Sequence, residues 1–154
     1  MTEQNENSNK KQISFRMIKA TEEDYKYCYS LYENNMKELI QKSMEYKPEI
    51  FKANFRLNEI RMIEEKESGE FIGFFQIQYK KNLTYIKEIQ IQKAFQDIGY
   101  ENQILKIIEK EANENKLSKL EMNMKNDYYL KQIFKDFGFK TTKELNNSSI
   151  LSFN

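Results

Sequence analysis

Residues 88–105 read Glu88-Ile89-Gln90-Ile91-Gln92-Lys93-Ala94-Phe95-Gln96-Asp97-Ile98-Gly99-Tyr100-Glu101-Asn102-Gln103-Ile104-Leu105. Apolar and polar residues alternate up to Gln92, the period of a half-buried strand. A short loop follows, holding one of the chain's 4 glycines. Beyond Gly99 the apolar residues Ile104, Leu105, Ile108 and Ala112 recur at helical spacing. Strand, tight loop and helix in that order aim backbone N–H groups and a helix N-terminus at one point. That is a cradle for an anion.

Downstream, residues 117–124 alternate as another strand and residues 126–137 have helical spacing. Asn126 suits the helix N-cap and Gly138 its C-terminal cap. Residues 139–145 and 149–153 read as short closing strands. Upstream, strands at 59–65, 71–79 and 83–92 form an antiparallel meander. Its turns are Glu67-Ser68-Gly69-Glu70 and Lys81-Asn82. On one face of the third strand Glu88 is expected to share its side with Thr84, Ile86, Gln90 and Gln92. Leu83, Tyr85, Ile89 and Ile91 are expected to face the core.

Nearer the start, Thr21 followed by Glu22, Glu23 and Asp24 marks a helix N-terminus. Tyr25, Cys28, Tyr32, Met36 and Leu39 continue at helical spacing to about Ser43. Pro48, the only proline, suits the opening of a second helix with Ile50, Phe51 and Phe55. Residues 13–19 form a first strand. Residues 1–12 are polar and aperiodic and read as a disordered leader to one domain over 13–154. The order β-α-α-β-β-β-α-β-α-β-β predicts an α/β domain. Its central sheet is mixed, mostly antiparallel and flanked by helices.

Composition removes several chemistries. The 154 residues are 39% apolar and 32% charged, enough for one soluble core. With 25 basic and 24 acidic side chains the net charge is +1, so no global field attracts nucleic acid or a membrane. Neither is expected as a partner. One cysteine, Cys28, excludes an internal disulfide and a cysteine-rich zinc site. There is no histidine, so Ser-His, Cys-His and histidine-metal chemistry are excluded, and no metal is expected. Acid–base work falls to Glu, Asp, Tyr, Lys or water. No apolar run reaches membrane-spanning length and no signal peptide is visible. A reducing location, cytoplasm or organelle interior, is expected.

Four segments carry a family resemblance. They are Ala20-Thr21-Glu22-Glu23-Asp24 at the first helix and Gly73 in Phe71-Ile72-Gly73-Phe74. The others are residues 91–101 with Gln96 and Gly99, and Lys135-Asp136-Phe137-Gly138-Phe139. With the element order, they resemble the GNAT superfamily of N-acetyltransferases, in particular its small single-domain members, across residues 13–153. The resemblance implies the acyltransferase fold, acetyl-CoA as co-substrate and direct attack by a primary amine of a small molecule or peptide. The cofactor would lie where two strands splay apart. Its pantetheine arm would pair near Ile89 and Ile91, with Gln92 and Lys93 at the strand end. Its pyrophosphate would meet the amides of Gln96, Asp97, Ile98, Gly99, Tyr100 and Glu101. Asn126 matches a cofactor-contacting position. Glu88 matches a position where some members carry a catalytic base, and its other reading is a solvated or lysine-paired carboxylate. Tyr29 and Tyr32 fall where members build the acceptor wall, and they also suit plain helix packing, as do Tyr25, Tyr27 and Tyr46. Homodimers are common in the family.

Two residues depart from the pattern. The loop's last motif position, Gly or Ala in the family, is Glu101, which adds bulk and like charge unless it turns to solvent. The tyrosine expected four residues before Gly138 is Phe134, with Tyr128 and Tyr129 earlier on that element as substitutes. These departures support an alternative: a weak or inactive member kept as a structural or interaction subunit.

Overall fold

A computed structural model describes residues 14–43 and 48–154. The expected leader and Tyr46 lie outside them. The element order follows the sequence expectation. Strand β1 (Phe15–Lys19) leads through a short 3-10 turn into α1 (Tyr25–Ser43) and α2 (Pro48–Asn54). Then come β2 (Ile60–Glu65), β3 (Phe71–Tyr79), β4 (Thr84–Ile91), α3 (Tyr100–Glu114), β5 (Leu120–Lys125), α4 (Leu130–Phe137), β6 (Lys140–Glu144) and β7 (Ser148–Phe153). The start of α1 is pinned as its sequence suggests. The Thr21 N–H and hydroxyl donate to the Asp24 carboxylate at 2.9 and 3.3 Å.

The strands form one sheet in the order β1-β2-β3-β4-β5-β7-β6. Neighbours are antiparallel except β4 and β5. Helices α3 and α4 cover one face, where Ile77, Ile86, Ile89 and Ile91 meet Ile104, Ile108, Leu130 and Phe134. Helices α1 and α2 cover the other, where Cys28, Leu31 and Phe51 meet Ile60, Met62 and Phe74.

Two features of β4 position the site. First, its pairing register with β3 shifts: Gln76 faces Glu88, but Ile77 faces Ile86. Lys87 is the extra residue, a β-bulge, and a bulge breaks the two-residue alternation. The expectation that Ile86 shares a face with Glu88 is therefore corrected. Ile86 joins Ile89 and Ile91 beneath the α3–α4 layer, while Glu88 and Gln90 turn toward α1. Second, β4 and β5 pair only at Thr84 with Leu120 and Tyr85 with Glu121. Beyond Tyr85 the two parallel strands part, and the rest of β4 presents backbone groups with no β5 partner.

Gly73 holds β3 tight against the open end of β4. A Cβ placed there runs into the Gln90 carbonyl. Gly73→Ala must push β3 away from β4, and such overpacking costs about 1–3 kcal/mol. Urea titration is expected to show an unfolding free energy lower by that amount; an unchanged value would mean the strands separate freely.

Candidate active site

Glu88 lies in the parted region of β4, partly buried. Its Oε2 accepts 2.8 Å from Gln90 Nε2. Gln90 is 2% exposed and joins three elements. Its Oε1 accepts from Asn35 Nδ2 of α1 at 3.1 Å and from the Tyr128 hydroxyl at 3.1 Å. Among the described residues Lys87 bonds Glu59 rather than Glu88, Nζ to Oε1 at 3.0 Å. Burial pushes the Glu88 carboxyl from 4.5 up to about 7, against the lowering pull of the Gln90 amide and the Lys87 charge. The same carboxylate, after burial itself, helps raise Tyr32 to about 12. Tyr128 is held well above a normal phenol by burial first and then by Glu88 and Glu101.

The raised carboxyl has a stability consequence with a definite sign. A carboxyl whose folded pKa exceeds its unfolded one binds its proton more tightly when folded. Its contribution is therefore present below pH 4.5 and is lost as pH climbs through about 7. Glu88→Gln is expected to remove that loss. Urea unfolding at pH 5 and pH 8 should show the variant gaining on wild type at pH 8, and equal gaps at both pH values would contradict the raised pKa.

The loop after β4 is a cradle that already holds an anion. A 3-10 turn at Lys93–Phe95 precedes Asp97 at φ 61° and Gly99 at φ 110°, and α3 begins at Tyr100. Positive φ at two positions folds the chain tightly enough to turn N–H groups inward. The Asp97 N–H donates 2.9 Å to the Glu101 carboxylate, and Glu101 is 2% exposed. Escape of Glu101 to solvent, one of the two sequence readings, is thus corrected. The side chain turns back, because an α3 N-terminus and a free amide favour a carboxylate there. Around it, Tyr100 packs between Phe15 and Phe95, and Ile98 points outward, 57% exposed.

The other expected residues divide between the core and the surface. Ile89 and Ile91 are buried toward α3, and the Ile91 carbonyl accepts from Asn35 Nδ2 and Gln96 Nε2, both at 2.9 Å. Gln92 Nε2 donates to the Tyr27 hydroxyl and the Phe71 carbonyl, while Lys93 is exposed. Tyr29 and Tyr32 both pack on Phe51, with ring centroids 5.6 and 4.7 Å away.

Asn126 does not cap a helix. Its N–H donates to the Asn147 carbonyl, and its Oδ1 accepts from Ser149 Oγ at 2.6 Å and Lys131 Nζ at 3.0 Å. The helix expected from residue 126 begins at Leu130, because residues 127–129 form the turn that carries Tyr128 and Tyr129 inward. Tyr128 is 8% exposed. Burial first, and then neighbouring Tyr128 and Glu101, raise the Tyr129 phenol. Phe134 is fully buried against Phe139 and offers no proton. Sequence reading missed Asn35. Its one signal was a polar residue one turn after Leu31 on a packed helix face.

The model of the acetyltransferase (GNAT) domain family matches residues 27–153. The chain belongs to the GNAT acetyltransferase family. No curated protein matches it in sequence. Among solved structures, the PaiA N-acetyltransferase of Thermoplasma acidophilum in complex with coenzyme A superposes with a TM-score of 0.69. It has 15% identity, over 90% of this chain and 98% of that one. The N-acetylglutamate synthase of Neisseria gonorrhoeae, complexed with coenzyme A and N-acetyl-glutamate, gives 0.69 at 19% identity, over 92% of this chain and 35% of that one. A GNAT family acetyltransferase of Staphylococcus aureus gives 0.71 at 11% identity, over 92% and 99%. At these identities the likeness is one of GNAT fold. The parted β4 and β5, the loop and α3 are the parts of that fold on which the site rests.

Among the described residues no group of His, Cys, Asp or Glu is arranged to hold a metal, and no helix is long and apolar enough to cross a membrane.

Proposed function

We propose that this GNAT protein moves an acetyl group from acetyl-CoA to the primary amine of a small molecule or peptide by direct attack. The observation that carries the reading is the Glu88 carboxylate, held at a pKa of about 7 beside the parting of β4 and β5. A base poised near neutrality is what deprotonation of an attacking amine requires.

The loop chemistry fits the cofactor's pyrophosphate, since the Asp97 amide already binds one anionic oxygen. Gln96, Asp97, Ile98, Gly99, Tyr100 and Glu101 would surround it. The free edge of β4 near Ile89 and Ile91 would take the pantetheine arm. The co-substrate supplies an activated acetyl thioester. Glu88, directly or through one water, takes the proton that the amine nitrogen loses as it bonds to the acetyl carbon. The carbon–sulfur bond breaks, and the departing thiolate takes its proton from water; the Tyr128 phenol, whose pKa burial raises, is the weaker acid for that step. No covalent intermediate on the protein is needed.

Four internal hydrogen bonds must yield on binding: Glu101 on the Asp97 amide, Tyr128 on Gln90, and the Asn35 and Gln96 amides on the Ile91 carbonyl. The first favours a second reading. A protein whose own carboxylate sits in the cradle suits a GNAT fold kept as a structural or interaction subunit. Calorimetric titration with acetyl-CoA separates the readings. Saturable binding is expected, and no heat or thermal stabilisation at millimolar ligand would leave only the second.

A further inference from the structure

The extra residue of the β4 bulge ends in an enclosed clamp. The Lys87 ammonium reaches Glu59 Oε1 at 3.0 Å and the Asn54 carbonyl at 3.4 Å. Gln76 of β3 reaches the same two acceptors. Its Nε2 donates 2.8 Å to Glu59 Oε1 and 2.7 Å to the Asn54 carbonyl. The Lys87 and Glu59 side chains are 16% and 11% exposed, and Gln76 is 3% exposed. Two donors thus share two acceptors, drawn from β4, β3, the last residue of α2 and the turn before β2.

The chemistry suits each member. Asn54 closes α2, so its carbonyl lacks a partner within the helix and a cation is favourable there. Glu59 balances the ammonium, and the enclosure shields the pair from the screening that weakens surface ion pairs.

The location suits the proposed chemistry. A regular strand turns neighbouring side chains to opposite faces. Here Lys87 and Glu88 both turn to the α1–α2 side, Lys87 onto Asn54 and Glu88 onto Gln90, which Asn35 of α1 holds. Gln76, the second donor of the clamp, is the residue that faces Glu88 across β3. Pairing with β5 ends at Tyr85, two residues before the bulge, so from there β4 is paired on one edge only. A one-residue slip in that stretch would turn Glu88 to the other face.

We propose that Lys87 and Glu59 are positioning residues of the reaction: with Gln76 and the Asn54 carbonyl, their pair fixes the bulge and so aims the Glu88 carboxylate toward α1. The inference rests on the transferase reading above, in which Glu88 is the base.

The charges around Glu88 give the clamp a signature. Burial raises the Glu88 carboxyl, while the Gln90 amide and then the Lys87 charge lower it. The other titratable groups turned on it are phenols that burial raises and that are neutral at pH 7: Tyr32 of α1, Tyr128 before α4 and Tyr85 of β4. Loss of the Lys87 charge therefore raises the Glu88 midpoint, and loss of the opposing Glu59 charge lowers it.

Two readouts test the clamp. The first needs no acceptor: glutamate carboxyls labelled with carbon-13 are titrated by NMR, and the Glu88 signal is the one missing from Glu88→Gln. Its wild-type midpoint is expected at about 7. Lys87→Met is expected to move it to higher pH and Glu59→Gln to lower pH, whereas general damage to the fold would move both the same way. The second is acetyl transfer from acetyl-CoA to a panel of primary amines. Lys87→Met is expected to lower kcat by about tenfold to a hundredfold, the cost of a misplaced group, with the KM for acetyl-CoA nearly unchanged. Lys87→Arg, which keeps the charge and the donors, should restore both kcat and midpoint. A wild-type kcat in Lys87→Met, or midpoints that do not move in opposite directions, overturns the clamp and leaves the transferase standing. Should Lys87→Met fail to fold, Glu59→Gln decides: a lowered midpoint supports the clamp and an unmoved one overturns it. Opposed midpoints in a protein that acetylates no amine keep the clamp as the setter of Glu88 and sink the transferase.

Discussion

Glu101→Gly is expected to tighten acetyl-CoA binding at least about tenfold while making the free protein less stable. The wild-type carboxylate is 2% exposed and takes the Asp97 N–H at 2.9 Å, so it occupies the oxygen position proposed for the pyrophosphate. Binding must expel or crowd that charge, and like charges a few ångström apart cost about 1–4 kcal/mol at the dielectrics of a protein surface. Even the low part of that range, about 1.4 kcal/mol, is a factor of ten in affinity. The free protein moves the other way. It loses the acceptor for the Asp97 amide, worth about 1 kcal/mol. A glycine in the first turn of α3 costs about 1 kcal/mol more relative to alanine. Calorimetry and thermal denaturation of the same variant therefore show opposite trends. Unchanged or weaker binding would mean that Glu101 does not stand where the pyrophosphate goes.

Glu88→Gln is expected to lower kcat by about 10²–10⁴, the usual contribution of a general base, with acetyl-CoA affinity nearly unchanged. The glutamine keeps the size of the side chain but cannot take a proton. The pH profile adds a control. Glu88 acts only when ionised, so the wild-type rate falls as pH drops through about 7, and that limb is missing from the variant's residual rate. A variant with the wild-type rate, or one that keeps the limb, would assign the base elsewhere. The mutual neighbours of Glu88 explain why its pKa is high. Gln90 donates to it, yet burial outweighs the hydrogen bond.

Much of this was legible in the chain, and the reasons differ by residue. The strand–loop–helix at 88–105 announced itself because the hydrophobic period changes from two to 3.6 within one stretch. Gly99 was readable because a tight loop needs a backbone that tolerates positive φ, which it adopts at 110°. Gly73 matched the family pattern, and its physical cause is contact with the Gln90 carbonyl.

The failures share one cause: each depended on geometry that alternation and caps do not encode. The bulge at Lys87 inserts one residue into β4 and changes which side Ile86 faces, and no side chain in 84–90 signals it. Asn126 has the chemistry of an N-cap, but the β7 hairpin captures it first through Asn147 and Ser149. Glu101 departs from the family pattern in the sequence. Its direction was open because solvent and the Asp97 amide both suit a carboxylate, and the amide next to the α3 terminus takes it. Asn35 was invisible because its role is tertiary: it acts only when α1 lies across the end of β4.

The most direct measurement is a mass balance. The protein is incubated with acetyl-CoA and a panel of small-molecule and peptide primary amines. Free CoA thiol and N-acetyl product are quantified together, for wild type and for Glu88→Gln. One thiol is expected per acetylated amine, at a rate that collapses in the variant. Thiol release without acetylated amine, or no release from a protein that binds acetyl-CoA, would contradict acetyl transfer by this site.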